Sequence, residues 1–377
     1  MREYLLVLIV AAATTYLLTP YARLLAIKVG AMAKVRDRDV HAFETPRFGG
    51  LAMYLGVLSA LLIARHLPAL SHVFHDSSEL NAVAVAGGLI CLLGLIDDKW
   101  EMDALTKFAG ETVAAGVMVL MGVQLSYLPI PGGETIVLGQ QLAVPLTVLL
   151  CVALMNAVNF VDGLDGLAAG VVAIAGASAF LYSYLLSHNY QLSNIAPSTL
   201  IAAVLVGTCL GFLPHNFSPA RLFMGDSGSL LLGLMLAATM TSVTGQGVFY
   251  SDSATTGNIS ALPYFAPLLL LIAPIAVPFL DLALAVVRRT RAGRSPFSPD
   301  KLHLHHRLLE MGHSDVRAVL SLYALVAILG FGTVAFSFSQ GLGLVLSAIS
   351  LSIVILAIFV SMPHLRKRSE RDAPSRP

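Results

Sequence analysis

Charge is what this sequence has least of. Only 12% of its 377 residues are Asp, Glu, Lys or Arg, about half the share found in an ordinary soluble domain. With 56% apolar residues and a mean hydropathy of +0.79, that shortage excludes most cytosolic or secreted enzymes, and it excludes intrinsic disorder. Excess positive charge is lacking too. The formal net charge of +1 leaves no basic surface for phosphate backbones and excludes a nucleic-acid partner. Cysteine is scarce: Cys91, Cys151 and Cys209 lie singly inside apolar runs, so neither a disulfide framework nor a zinc site is built from them. What remains is a chain whose surface faces lipid, an all-α polytopic integral membrane protein.

A helix needs about 20 mostly apolar residues to cross the hydrocarbon core. Eleven runs are candidates, at 4–27, 50–64, 82–96, 105–123, 142–159, 167–187, 198–213, 229–244, 262–287, 318–338 and 342–362; the second, third, seventh and eighth are short and contain glycine, so ten is the alternative count. The first is too long for a signal-peptide core and lacks a basic leader, so it reads as a retained span. Lys and Arg orient the set. Twenty of the 23 basic residues fall in one set of alternate loops and the tail; the opposite loops hold only Arg2 and Arg65, and Arg23 lies within the first span. The N-terminus is therefore expected outside and the C-terminus in the cytoplasm. Residues 1–365 read as a single transmembrane catalytic domain and 366–377 as a basic cytoplasmic tail near anionic headgroups. The outer loop 125–141 alternates polar and apolar residues around Pro131-Gly132-Gly133-Glu134, the pattern of a small β-hairpin.

The few acids are not scattered. Asp97, Asp98, Asp162, Asp165 and Asp226 all lie at span ends on the expected cytoplasmic side. Each singly can be a helix cap or a solvated interfacial charge; five together repel one another and call for a divalent cation. Asp97 and Asp98 are adjacent and point apart, so one can ligate a metal while the other acts as base or contacts substrate. Asn156, Asn159, Asp162 and Asp165 recur every third residue. On a continuous helix, steps of about 300° would spread them around half the circumference. Gly163 and Gly166 instead let the chain turn after Asp162 and again after Asp165, gathering oxygen ligands at the mouth of two spans. Asn156 and Asn159 have a second reading, as bonds between neighbouring helices. Asp226, in Gly225-Asp226-Ser227-Gly228-Ser229, is either a helix cap or a hard-metal ligand beside free helix amides that hold phosphate. Oxygen-only ligands favour Mg²⁺ or Mn²⁺ over zinc.

Two basic segments complete the picture. Arg36, His41, Thr45, Pro46 and Arg47 precede Gly49-Gly50; they either enforce topology or supply the cations that a pyrophosphate needs. His303-Leu304-His305-His306-Arg307 lies in the longest cytoplasmic loop. It reads as a zinc cluster or as contacts to an anionic, sugar-bearing ligand. Just before this loop, the run 262–287 carries Pro263, Pro267, Pro274 and Pro278, enough to kink it. Asp281 is a structural partner for Arg288 or part of the site.

In this order and on one membrane side, these motifs make the chain resemble the polyprenyl-phosphate N-acetylhexosamine-1-phosphate transferases, glycosyltransferase family 4, over nearly its whole length. The resemblance implies about eleven transmembrane helices in a bacterial plasma membrane, a cytoplasmic Mg²⁺ site and often a homodimer. It implies transfer of a sugar-1-phosphate from a UDP-sugar to a polyprenyl phosphate, with release of UMP. Carried over by motif, Asp226 is the principal metal ligand with Asn159 nearby, and Asp97 is the base or phosphate-orienting acid. Asp98, Asp162 and Asp165 order the nucleotide end; Lys107, His303, His305 and His306 contact phosphates or sugar, with Asn156, Thr45 and Arg47 on the substrate side. The interrupted histidine motif resembles the branch using UDP-GlcNAc rather than the muramoyl-pentapeptide branch, which has three contiguous histidines. The stretch Val35-Arg36-Asp37-Arg38-Asp39-Val40-His41 resembles actinobacterial members, implying decaprenyl rather than undecaprenyl phosphate. A secondary transporter or flippase, with acids as ion-coupling sites, is the rival of a different class; it expects acids near the bilayer midplane.

Overall fold

A computed structural model describes residues 1–33, 45–129, 135–190, 196–245 and 315–338, together with positions 270, 349 and 352. Its elements follow from composition. Long apolar stretches make α1 (Arg2–Val29), α2 (Gly49–Ala64), α4 (Glu79–Trp100), α5 (Ala104–Leu120), α6 (Gln140–Val161), α7 (Leu167–Tyr190), α8 (Ala196–Asn216), α9 (Gly225–Gly245) and α10 (Asp315–Phe338). A short helix, α3 (Ser71–Asp76), lies between α2 and α4. Strands β1 (Met32–Ala33) and β2 (Thr45–Pro46) pair antiparallel, as do β3 (Tyr127–Pro129) and β4 (Thr135–Val137).

Among the described residues, seven helices are long and apolar enough to cross a membrane: α1, α4, α6, α7, α8, α9 and α10. The protein is thus a multi-pass helical membrane protein. Two of the expected spans fall outside this set: α2, whose 16 residues match the run 50–64, and α5, whose 17 residues end short of the run 105–123. The runs 262–287 and 342–362, apart from positions 270, 349 and 352, fall outside the described residues, as do the Pro131–Glu134 turn and the tail.

Helix α9 is the hub. Its sequence is apolar all round, the pattern of a helix with no free face, and its whole apolar window is buried. It packs against α2, α4, α6, α7 and α8. The periphery has the opposite character: α1 exposes Leu5, Ile9, Leu17 and Leu24, and α5 exposes Leu105, Val113 and Leu120. Such apolar outer faces suit hydrocarbon, where every backbone group is already satisfied within its helix.

Glycine permits the close crossings around the hub. A Cβ at Gly94 of α4 would lie 2.2 Å from the Ser227 amide nitrogen of α9, and one at Gly50 of α2 would lie 2.2 Å from the Gly228 nitrogen. These two contacts draw the ends of α2 and α4 onto the start of α9. Gly94→Ala is therefore expected to force α4 off α9 at a cost of about 1–3 kcal/mol. Gly116→Ala, on α5 with nothing within 4 Å, should be neutral or stabilising through helix propensity. Thermal unfolding of both variants in detergent checks this; equal midpoints would refute it.

Candidate active site

One end of the bundle collects the C-termini of α4 and α6 and the N-termini of α5 and α9. The N-terminus of α9 is held by Asp98. Its Oδ1 accepts the Asp226 amide at 2.8 Å, and its Oδ2 accepts the Ser227 amide at 3.2 Å and the Ser227 hydroxyl at 2.9 Å. Free amides at a helix start need such acceptors. Gly225 makes the approach feasible: its φ is +69°, and a Cβ there would meet Asp98 Oδ2 at 2.3 Å.

The neighbouring Asp97 faces the other way, as adjacency requires. Its Oδ1 accepts the Met102 amide at 2.6 Å, tying the α4–α5 turn, and its Oδ2 lies 3.0 Å from the Lys107 ammonium. That ammonium also contacts Asp226 Oδ2. Lys107 is placed by the start of α5, where the Asp103 side chain accepts the Leu105 and Thr106 amides at 3.1 and 3.0 Å. Asp226 Oδ1 accepts a hydrogen bond from Asn159 Nδ2 at 2.8 Å, and the same amide donates to Ser229 Oγ at 2.9 Å. The Asp226 side chain remains 27% exposed, more open than Lys107 or Asp97.

Helix α6 runs unbroken through Asn156 and Asn159 and ends at Val161, with Asp162 as its cap residue. Asn156 Nδ2 donates to Glu111 of α5 and to the Val152 carbonyl at 2.9 Å. After the turn at Gly163, Asp165 Oδ2 accepts the Ala220 amide at 2.9 Å. Gly166, at φ +75°, donates its amide to Asn216 Oδ1 at 3.1 Å, and Asn216 in turn donates to the Leu222 carbonyl. The α6–α7 turn is thereby stitched to the segment that leads into α9.

The first loop joins from the other side. Phe223 donates its amide to the Pro46 carbonyl at 2.9 Å, and the Gly49 and Gly50 amides donate to Phe223 and Met224 at 3.1 and 2.9 Å. Arg47 is bridged to Phe223, which puts its charge within range of Asp162. Thr45 is buried in β2. Residues 34–44, with Arg36 and His41, and the His303, His305 and His306 cluster with Asp281 and Arg288, lie outside the described residues.

The structure thus brings Asp97, Asp98, Asp162, Asp226, Asn159, Lys107 and Arg47 to one mouth, with Asn156 and Asp165 holding its rim. Sequence reading missed Glu111, the buried acid beneath Asn156, and it left Ser227 and Ser229 without roles. An acid inside an apolar run four residues after Lys107 was the available signal.

Among the described residues, no three carboxylate, imidazole or thiol side chains converge as a ready-made metal cage. The donor set nevertheless suits Mg²⁺. That ion prefers oxygen and is commonly held by one or two carboxylates plus substrate phosphates, and Asp226, with Asp97 across Lys107, offers such carboxylates.

Asp162 is the titratable group whose state the geometry sets. Burial first, then the Asp226 and Asp98 carboxylates, push its carboxyl up to about 7, against the opposing pull of Arg47. An unfolded Asp titrates near ~4, so folding takes up a proton between those values and stability falls as pH rises through that window. Asp162→Asn is neutral throughout. In metal-free detergent its unfolding midpoint should gain on the native chain from pH 5 to pH 8; a pH-independent difference would overturn this.

The profile of glycosyl transferase family 4 matches residues 80–244, which span α4 to α9. The decaprenyl-phosphate N-acetylglucosaminephosphotransferase of Mycolicibacterium smegmatis is 50% identical over 370 residues, 97% of this chain and 90% of that protein. The protein of the same name from Mycobacterium tuberculosis strain H37Rv is 48% identical over 373 residues, again 97% and 90%. A probable undecaprenyl-phosphate N-acetylglucosaminyl 1-phosphate transferase of Bacillus subtilis is 31% identical over 358 residues, 95% and 91%. With this much identity over almost the whole chain, the protein belongs to glycosyl transferase family 4.

Proposed function

We propose that this chain transfers GlcNAc-1-phosphate from UDP-GlcNAc to a polyprenyl phosphate, yielding polyprenyl-diphosphate-GlcNAc and UMP, as the first step of a cell-envelope polysaccharide. The observation that carries the reading is the mouth formed by Asp97, Asp226, Asn159 and Lys107 at one end of an apolar bundle. Relatives covering nearly the whole chain are named for this acceptor class and this sugar.

The chemistry asks for positioning and charge control more than for covalent help. A phosphate oxygen of the acceptor attacks the sugar-bearing phosphorus of UDP-GlcNAc, and the bond to the bridging oxygen breaks as UMP leaves. Asp226 and Asn159 would hold Mg²⁺, which when bound neutralises charge on the diphosphate. Lys107 and Arg47 supply positive charge to the phosphate oxygens. Asp97 orients the acceptor phosphate or takes its proton. Asp98 acts through the start of α9, keeping Asp226 in place. Asp162 and Asp165 shape the nucleotide end beside Asn156 and Thr45, and His303, His305 and His306 contact sugar or phosphate.

The acceptor explains why such a mouth opens at a membrane face. Leu105 and Phe108 on α5 are 77% and 53% exposed, and Phe160 on α6 is 54% exposed. All three lie within four residues of Lys107 or Asn159, so an isoprenoid tail can lie along them while its phosphate reaches the cations. In this reading the mouth faces the cytoplasm of a bacterial plasma membrane, where UDP-sugars reside, and the enzyme is a homodimer. Decaprenyl phosphate is the proposed acceptor, in line with the mycobacterial relatives.

Purified protein incubated with polyprenyl phosphate and a panel of radiolabelled UDP-sugars tests this. Label should enter lipid from UDP-GlcNAc and require Mg²⁺ or Mn²⁺. Transfer from a UDP-muramoyl-pentapeptide would assign the other branch, and no transfer from any donor would favour a transporter. Asp226→Asn should lower turnover by at least about a hundredfold and raise the Mg²⁺ concentration for half-maximal rate. Full turnover at unchanged Mg²⁺ dependence would sink the assignment of Asp226.

A further inference from the structure

Helix α5 carries two charged side chains, Lys107 and Glu111. Glu111 is 1% exposed. Its Oε2 accepts the Asn156 amide, whereas its Oε1 is buried with no hydrogen-bond partner among the described residues. An unmet carboxylate oxygen is expensive in an apolar bundle, and each such group in a native protein asks for a reason. A cation stands one helical turn away on the same face: Lys107, at the i, i+4 spacing that lets side chains meet. Its ammonium is drawn instead to Asp97 and Asp226.

The ammonium contacts Oδ2 of Asp226, the carboxylate proposed above for Mg²⁺. A divalent cation and an ammonium repel, so cation entry must push Lys107 away. In a bundle of low polarity, a displaced ammonium needs another carboxylate at once. We infer that Glu111 is a positioning residue that receives the Lys107 ammonium when a divalent cation takes Asp226. The transfer needs only side-chain rotation, since both groups ride on the same helix. It gives the orphan Oε1 its donor. It also keeps a positive charge at the mouth, anchored through Glu111 and Asn156 to α5 and α6, where substrate phosphates arrive. This inference rests on Asp226 being the cation site.

Mn²⁺ binding to the detergent-solubilised full chain, without substrates, tests it. Free Mn²⁺ is measured by electron paramagnetic resonance for the native chain, Glu111→Gln, Lys107→Met and the double variant. Glu111→Gln keeps the shape and the Asn156 contact but removes the charge, so Lys107 should stay on Asp226 and Mn²⁺ should bind about tenfold more weakly. Lys107→Met should bind Mn²⁺ more tightly than the native chain. With the ammonium gone, adding Glu111→Gln should weaken binding by less than about threefold, the residue of direct charge attraction. Equal weakening in both backgrounds, or none in the native one, would overturn the inference while leaving the cation site intact. Failure of the native chain to bind Mn²⁺ would overturn the cation site and the inference with it.

Discussion

The start of α9 is where the fold and the site become one problem. This helix is buried on all sides, yet its first amides must find acceptors. Asp98 supplies them from the last turn of α4, accepting two backbone amides and a hydroxyl. Without that carboxylate, an apolar helix would end in unpaired donors inside the bundle, at a cost comparable to the loss of several hydrogen bonds. The bond also sets where Asp226 points, because Asp226 is the residue whose amide Asp98 holds. Gly225, Gly94 and Gly50 serve the same junction by leaving room for backbone to approach backbone.

From that junction the polar mouth is assembled by contacts between segments far apart in the chain. Asn159 reaches α9 from α6, Lys107 reaches it from α5, and Pro46 to Gly50 run beside Phe223 and Met224. Charges that would be costly alone are thereby balanced: Asp97 and Asp226 share one ammonium, and Arg47 offsets part of the repulsion on Asp162. Among the described residues these groups gather at one end of the bundle, beneath an apolar exterior. The proposed transfer to a lipid phosphate needs such an arrangement: a charged site that a hydrocarbon tail can approach from the side.

Much of this was legible in sequence because the membrane simplifies the code. A charge in a chain that is 12% charged must have a reason to be there, so Asp97, Asp98, Asp162, Asp165 and Asp226 stood out, as did the turn after Asp162. Lengths were less legible. Run 50–64 matches a helix of 16 residues, but run 105–123 ends early, as a helix of 17, because hydropathy registers composition and not the turn or cap that ends a helix. Individual duties were least legible: nothing along the chain says that Asp98 caps α9 while Asp97 faces Lys107, or that Asp165 holds the Ala220 amide.

Glu111 shows where the line falls. The sequence by itself determined that the chain is a helical membrane protein, which acids and amides cluster at span ends, and which family it belongs to, since these depend on local composition and on motif order. Only the tertiary structure decided which carboxylate meets which donor, that Lys107 lies against both Asp97 and Asp226, and that a buried glutamate waits one turn below with an oxygen unmet. Hydrogen bonds and ion pairs are set by distances of a few ångströms between segments distant in the chain, and such distances exist only once the helices have packed.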